Sequence, residues 1–136
     1  MLLNRNTIFP AAVTAKPIQY ALGALRRDFD RIFAATAAPG GRLLLTINHT
    51  LAAEQYTLTA GTDTLLLSAS DDLGFVYGLF EISRHFLGVQ PFWFWNDQPF
   101  EVRESVKIPT NTVIESKPAR VTYRGWFIND ETLLSH

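Results

Sequence analysis

The sequence predicts an α/β (α+β) domain of two layers, in which two helices pack against one mixed sheet. Apolar residues recur at helical spacing in two long segments, and three strand-like runs lie between those segments. Elements in this order fold as a layer of helices on a sheet. We therefore expect both helices on the same side of the sheet.

Composition supports one folded domain and excludes several classes of partner. The 136 residues are 47% hydrophobic and 18% charged, with a net charge of −1 and no block of like charges. A chain of this kind is not expected to bind nucleic acid or a membrane surface. The absence of cysteine excludes disulfides and thiolate chemistry.

The N-terminal residues predict a first strand and a loop. A short apolar run follows Arg5, but Pro10 interrupts it, so the run is too short for a signal peptide. We expect no signal peptide within the chain, and a secreted or periplasmic location of the parent protein stays open.

The first helix is predicted over residues 17–36. Pro17 suits the first helical turn, where its missing N–H costs no hydrogen bond. Pro39-Gly40-Gly41 then ends the segment. The predicted buried stripe comprises Ile18, Ala21, Leu22, Leu25, Phe29, Ile32 and Phe33.

Three strands are predicted between the two helices. Residues 42–48 are apolar on both faces and predict a central strand. Residues 55–59 and 64–70 flank a turn and predict a hairpin. In the first of these, Tyr56 and Leu58 alternate with threonines, which is typical of a strand with one face in water.

The second helix is predicted over residues 71–87, capped by Ser70 or Asp71 and ended by Gly88 in the left-handed conformation. Gly74 and Gly78 lie on one face, and each lowers helix stability. Their presence indicates close approach of the sheet. The predicted buried stripe comprises Phe75, Val76, Leu79, Phe80, Phe86 and Leu87.

An aromatic loop follows this helix, in which Phe92, Trp93, Phe94 and Trp95 are consecutive. Successive side chains of an extended chain point to opposite faces, so both faces must be covered or functional. The loop is either a buried connection or a platform on which a sugar ring stacks.

Residues 121–131 form an apolar segment that ends in Asn129, Asp130 and Glu131. A strand apolar on both faces belongs inside a parallel sheet or barrel, and barrel enzymes place active sites at the C-terminal ends of their strands. We expect the first strand of a (β/α)₈ barrel whose other strands lie outside this chain. Without them the segment is expected to pair with its own sheet or, by self-association, with another copy of the chain.

No catalytic residue, metal or cofactor is expected within the chain. A glycosidase needs two carboxyl groups about 5–10 Å apart, whereas Asp130 and Glu131 are adjacent and face opposite ways in a strand. Glu81 and His85 share a helix face, but no second histidine lies one turn away, so a solvated pair is expected.

Resemblance to known families adds to what the residues alone predict about the kind of domain. Residues 54–59 and 65–79 resemble the small α/β domain that precedes the barrel in hexosaminidases and in two α-glucuronidase families. Residues 88–99, GVQPFWFWNDQP, resemble the GVxPWYWWxDxP run of glycoside hydrolase family 115. Residues 123–131, YRGWFINDE, resemble the first barrel strand of that family, YRGIFINDE.

The resemblance implies a non-catalytic N-terminal accessory domain, residues 1–110, followed by a linker and the first barrel strand, residues 111–136. It implies a parent enzyme that releases (4-O-methyl)glucuronic acid from xylan side chains by inversion, with its catalytic acid and base beyond residue 136. The partners would be the catalytic barrel of the same polypeptide and carbohydrate. The substrate-binding residues implied are Asn129, Asp130 and Glu131, and secondarily Trp93 and Trp95.

Two alternatives stay open at this point. The chain is a stand-alone carbohydrate-binding or interaction module that uses loop 92–95, or it is the same module from a hexosaminidase-type enzyme. In either case the fragment alone is expected to be inactive.

Overall fold

The computed structural model describes residues 1–91, 93, 97–121 and 123–124. Within them the strands are β1 (Leu2–Leu3), β2 (Arg42–Ile47), β3 (Tyr56–Ala60), β4 (Thr64–Ala69), β5 (Val106–Lys107) and β6 (Val113–Glu115). The helices are α1 (Lys16–Ile32) and α2 (Asp72–Ile82), and a π-helical turn at Ser83–Leu87 continues α2.

The main sheet is mixed, as the sequence predicts. Its strand order is β2-β4-β3-β6, with β2 parallel to β4 and the other neighbours antiparallel. The predicted hairpin is β3–β4, in which Leu58 lies opposite Leu67. Strands β1 and β5 form a separate antiparallel pair.

Both helices lie on one face of this sheet and share one core with it. Helix α2 packs on β3 and β4, and α1 packs against α2. Leu58, Leu65 and Leu67 face the helices and are fully buried. The opposite face carries Leu44 and Val113, which are exposed, so the described part of the molecule has two layers.

Helix α1 ends at Ile32, four residues before the predicted end at residue 36. Phe33 leaves the helix in an extended conformation and forms a parallel bridge with Arg103. The Arg103 N–H donates to the Ile32 carbonyl, and the Ala34 N–H donates to the Arg103 carbonyl, both at 2.9 Å. This long-range pairing replaces the last helical turn, and it keeps Phe33 buried in the core.

The prediction that residues 42–48 form a central strand is wrong for the described structure. Strand β2 lies at an edge, and Leu43 is its only fully buried residue. On its outer side Ile8 pairs with Arg42, accepting a hydrogen bond from the Leu43 N–H. The apolar character of β2 therefore reflects partial cover by the N-terminal segment.

Helix α2 begins as predicted, with Asp71 as its cap. The Asp71 carboxylate accepts hydrogen bonds from the Gly74 N–H and the Glu54 N–H, both at 2.8 Å. A side chain at Gly74 would collide with the carbonyl of Gln55, and one at Gly78 with the side chain of Leu67. The glycines therefore permit the close approach of helix and sheet that the sequence indicates.

Phe80 is half exposed, although its spacing predicts burial. Because Gly74, Gly78 and Ile82 face the sheet, a residue two positions after Gly78 points away from it. The predicted left-handed stop at Gly88 is confirmed, with φ 75°.

The two ends of the described chain are part of the fold. Leu2–Leu3 pairs with Val106–Lys107, and the Met1 amino group donates to the Ile108 carbonyl at 3.1 Å. Val113–Glu115 pairs with β3. Strand β6 thus lies within residues 111–136, the range predicted as linker and first barrel strand.

Candidate functional site

A groove of about 590 Å³ lies between α1 and α2 and is closed at one end by the chain after Gly88. Its volume falls within the range of about 300–1,000 Å³ typical of ligand pockets. Apolar and aromatic side chains dominate the lining, among them Ala24, Tyr77, Phe80, Val89 and Trp93.

The floor of the groove holds a buried polar pair. The Ser83 hydroxyl donates a hydrogen bond of 2.7 Å to the Asp28 carboxylate, and the two residues are 3% and 8% exposed. Burial raises the pKa of Asp28 above its usual range, and the Ser83 hydrogen bond and the charges of Arg31 and Arg27 partly oppose this shift. The pair connects α1 to the turn after α2 where their backbones approach.

Trp93 forms part of the rim and is already in contact with neighbouring side chains. The guanidinium of Arg31 lies over its ring at 4.1 Å from the centroid. The ring of Phe100 meets it edge-on at 5.3 Å. Because a sugar ring would have to compete with these contacts, the geometry favours the buried-connection interpretation for Trp93.

The Glu81–His85 pair belongs to a surface ion network. Arg84 binds the Glu81 carboxylate through two nitrogens, at 2.6 and 2.8 Å, whereas His85 Nδ1 lies 3.7 Å away. The hydrogen bond to Glu81 raises the pKa of Arg84 further. No group of three or more metal-ligating side chains occurs among the residues that the structure describes.

Tyr56 is the other group near this network with a shifted pKa. Burial, with a smaller contribution from the charge of Glu81, raises its pKa to about 12. The phenol therefore stays protonated at neutral pH and is not poised to act as a base.

The chain after β6 returns to the outer side of α2 and is anchored there by Arg124. The guanidinium forms an ion pair with Glu54 and contacts Tyr77, with Nη2 at 3.2 Å from the hydroxyl oxygen. The same group lies 5.2 Å from the centre of the Tyr77 ring. Sequence patterns gave no sign of these contacts, since residues 54, 77 and 124 belong to three separate segments.

Of the site residues predicted from sequence, the structure describes only Trp93. Asn129, Asp130, Glu131 and Trp95 lie outside the described residues, as does the predicted strand beyond Arg124. Val121 and Tyr123 are exposed and lie in no strand. Asp28 was missed, although a carboxylate within the apolar stripe of a helix is a detectable signal.

No helix in the described ranges has the length and apolar character needed to cross a membrane. No family model and no curated protein matches the sequence.

Among solved structures, the fold is similar to that of the family GH115 4-O-methyl-alpha-glucuronidase BtGH115A, described as specific for decorated arabinogalactans. The TM-score is 0.69 at 19% identity, and the match covers 86% of this chain and 18% of that one. The expected likeness to a family 115 enzyme is thus confirmed at the level of the fold. The chain spans less than a fifth of the similar protein.

Proposed function

We propose that this chain is the non-catalytic N-terminal accessory domain of a glycoside hydrolase of the α-glucuronidase type. The observation that carries the proposal is the fold likeness to a family GH115 enzyme, which covers 86% of this chain and only 18% of the enzyme. A module that fills so small a share of an enzyme is expected to work beside a separate catalytic domain.

The chemistry of the groove supports a non-catalytic role. Asp28 is the one carboxylate that lines it among the described residues, and Ser83 already binds it. Hydrolysis of a glycosidic bond needs an acid and a second carboxylate across the bond, about 5–10 Å apart. We place that pair in the barrel that residues 121–131 would begin, where Asn129, Asp130 and Glu131 would contact substrate.

The substrate we propose is a polysaccharide with (4-O-methyl)glucuronic acid side chains. Xylan is the substrate that the sequence resemblance implies, and the structurally similar enzyme is described as specific for decorated arabinogalactans. Under this proposal the catalytic domain, which lies outside this chain, would decide which polysaccharide backbone is accepted.

An activity assay tests the proposal. The 136-residue chain and the polypeptide extended through the complete reading frame are incubated with glucuronoxylan oligosaccharides and with decorated arabinogalactan. We expect uronic acid release from the extended polypeptide and none from the short chain. Turnover by the short chain, or an extended frame without hydrolase activity, would contradict the proposal.

The same samples test the alternative that the chain is a stand-alone carbohydrate-binding module. Oligosaccharides are titrated while tryptophan fluorescence is followed in the short chain and in Trp93→Ala. We expect no saturable change in fluorescence in either protein, because the ring of Trp93 is already in contact with Arg31 and Phe100. Saturable binding lost in the variant would favour the binding module instead.

A further inference from the structure

An apolar stripe runs along the outer side of α2. Leu73, Tyr77 and Phe80 are spaced at i, i+4 and i+7 and are 46%, 37% and 49% exposed. Residues at this spacing lie on one side of a helix. We call these three residues the helix face. Contiguous exposed apolar surface on a folded domain marks a place where another surface packs.

The groove continues the helix face towards α1. Tyr77 and Phe80 belong to both, and Arg27 and Arg31 stand on the opposite rim. The combined surface therefore offers an apolar ridge beside a hollow with a carboxylate and a hydroxyl at its floor. Interfaces between domains of one chain are of this mixed kind, and they bury about 600–1,500 Å².

Arg124, which lies in the predicted barrel segment 121–131, contacts the helix face. Its ion pair with Glu54 and its contact with Tyr77 hold the last described residue against the helix face. Glu54 has a left-handed backbone with φ 64°, which is uncommon for a residue with a side chain. Such conformations persist where surrounding contacts fix them, here the bond from the Glu54 N–H to Asp71.

The position of Arg124 also favours the helix face over the open face of the sheet as the docking surface. The open face of the sheet, with Leu44 and Val113, lies on the far side of the strands from α2. A barrel whose first strand includes Arg124 starts beside the helices. It can cover the helix face without a connecting segment, whereas reaching the open sheet face would require the chain to pass around the sheet.

We propose that the helix face and the adjoining groove form the docking surface for the barrel that residues 121–131 would begin on the same polypeptide. This inference rests on the proposed function, because that function supplies the following domain. Arg124 holds the first strand of that barrel against Tyr77, and side chains of the barrel fill the hollow above Asp28 and Ser83.

Cysteine reactivity tests the surface directly, because the chain contains no cysteine. Phe80→Cys reports on the helix face, and Val113→Cys, 52% exposed on the open sheet face, is the matched control. Each is placed in the 136-residue chain and in the polypeptide of the complete reading frame, and the rate of reaction with a soluble aromatic disulfide is measured. Leu73→Cys gives a second position on the helix face if the substitution at Phe80 disturbs folding.

We expect the thiol at residue 80 to react at least about tenfold more slowly in the long polypeptide than in the short chain, and the thiol at residue 113 to react equally in both. Arg124→Gln in the long polypeptide should restore part of the rate at residue 80, whereas Arg120→Gln should not.

Equal rates at residue 80 in the two polypeptides, or protection at residue 113 instead, would overturn the docking surface. If the long polypeptide releases uronic acid but residue 80 reacts freely, the docking surface fails and the proposed function stands. If residue 80 is protected in a polypeptide without that activity, the proposed function fails alone. A reading frame that ends at residue 136 overturns both.

Discussion

At the scale of single residues, Asp28 is the group whose ionisation bears most directly on folding. It lies in the apolar side of α1, and Ser83 donates the hydrogen bond that satisfies one of its oxygens. Burial raises the pKa of Asp28 in spite of that bond and of Arg31 and Arg27 nearby. The folded chain therefore holds this proton more tightly than the unfolded chain does.

The sign of this shift predicts a pH-dependent effect of Asp28→Asn. Because the pKa of Asp28 is higher in the folded chain than in the unfolded chain, protonation of Asp28 stabilises the folded chain. This stabilisation is complete below pH 3.8, the usual pKa, and it is lost as the pH rises through the pKa of the folded chain. Asparagine keeps an acceptor for Ser83 without the buried charge. We expect Asp28→Asn to be more stable than the wild type at pH 7 and to lose this advantage below pH 3.8.

Urea unfolding at the two pH values measures the effect on the free energy of unfolding. Asp30→Asn, which alters an exposed carboxylate of the same helix, is the control and should change stability little at either pH. If Asp28→Asn is less stable than the wild type at pH 7, the raised pKa of Asp28 is contradicted.

At the scale of elements, the packing of α2 depends on the two glycines that face the sheet. In Gly74→Ala the new methyl group would lie 2.6 Å from the Gln55 carbonyl oxygen and 3.1 Å from the Ala69 side chain. Because backbone atoms cannot move aside easily, we expect a loss of about 1–3 kcal/mol in unfolding free energy.

The matched control for this prediction is Gly23→Ala in α1. Apart from the adjacent residues and the backbone of its own helix, nothing lies within 4 Å of the position of its added methyl group. Removing an exposed helical glycine should raise stability by about 0.5–1 kcal/mol. The midpoint temperature of unfolding should therefore fall in Gly74→Ala and rise in Gly23→Ala. A stabilised Gly74→Ala would show that the helix does not approach the sheet so closely.

The sequence contained enough information for most elements but not for their long-range partners. Periodicity predicted α1, the β3–β4 hairpin and the start of α2, because each depends on neighbours a few residues away. The early end of α1 depends on Arg103, and the partial cover of the outer edge of β2 depends on Ile8. The short strands β5 and β6 were missed because runs of two or three residues carry no periodic pattern.

The candidate site was less predictable than the fold. Trp93 was identified from its aromatic run, but its stacking on Arg31 joins residues far apart in sequence. The same is true of Arg124, Glu54 and Tyr77. Such contacts arise only once the helices and sheet are assembled, so residue order alone does not indicate them.

At the scale of the whole molecule, the outer edge of β2 is open to pairing with another chain along part of its length. Ile8 covers only its first part, through Gly41 and Leu43, and Ile47 near its end is 51% exposed. Edges of this kind favour strand pairing between molecules. This edge therefore offers a route for self-association of the short chain besides the segment 121–131.

We expect Ile47→Lys to weaken self-association of the 136-residue chain, because a charge on an edge strand opposes pairing. The dissociation constant should rise about tenfold, equivalent to about 1.4 kcal/mol. Light scattering over a range of concentrations measures it. Tyr20→Lys, which removes an exposed apolar side chain from α1, should leave it unchanged. A concentration-independent monomer in the wild type would rule out this contact.

The pairing of β1 with β5 has a consequence for the order in which the molecule assembles. Leu2 lies opposite Lys107, so the contact encloses nearly the whole described chain. Closing so large a loop costs more entropy than forming the β3–β4 hairpin, whose strands are almost adjacent in sequence. We therefore expect the small sheet to form late in folding, after Leu2 has met its nearer partner, since the Leu2 carbonyl also accepts a hydrogen bond from the Gly41 N–H.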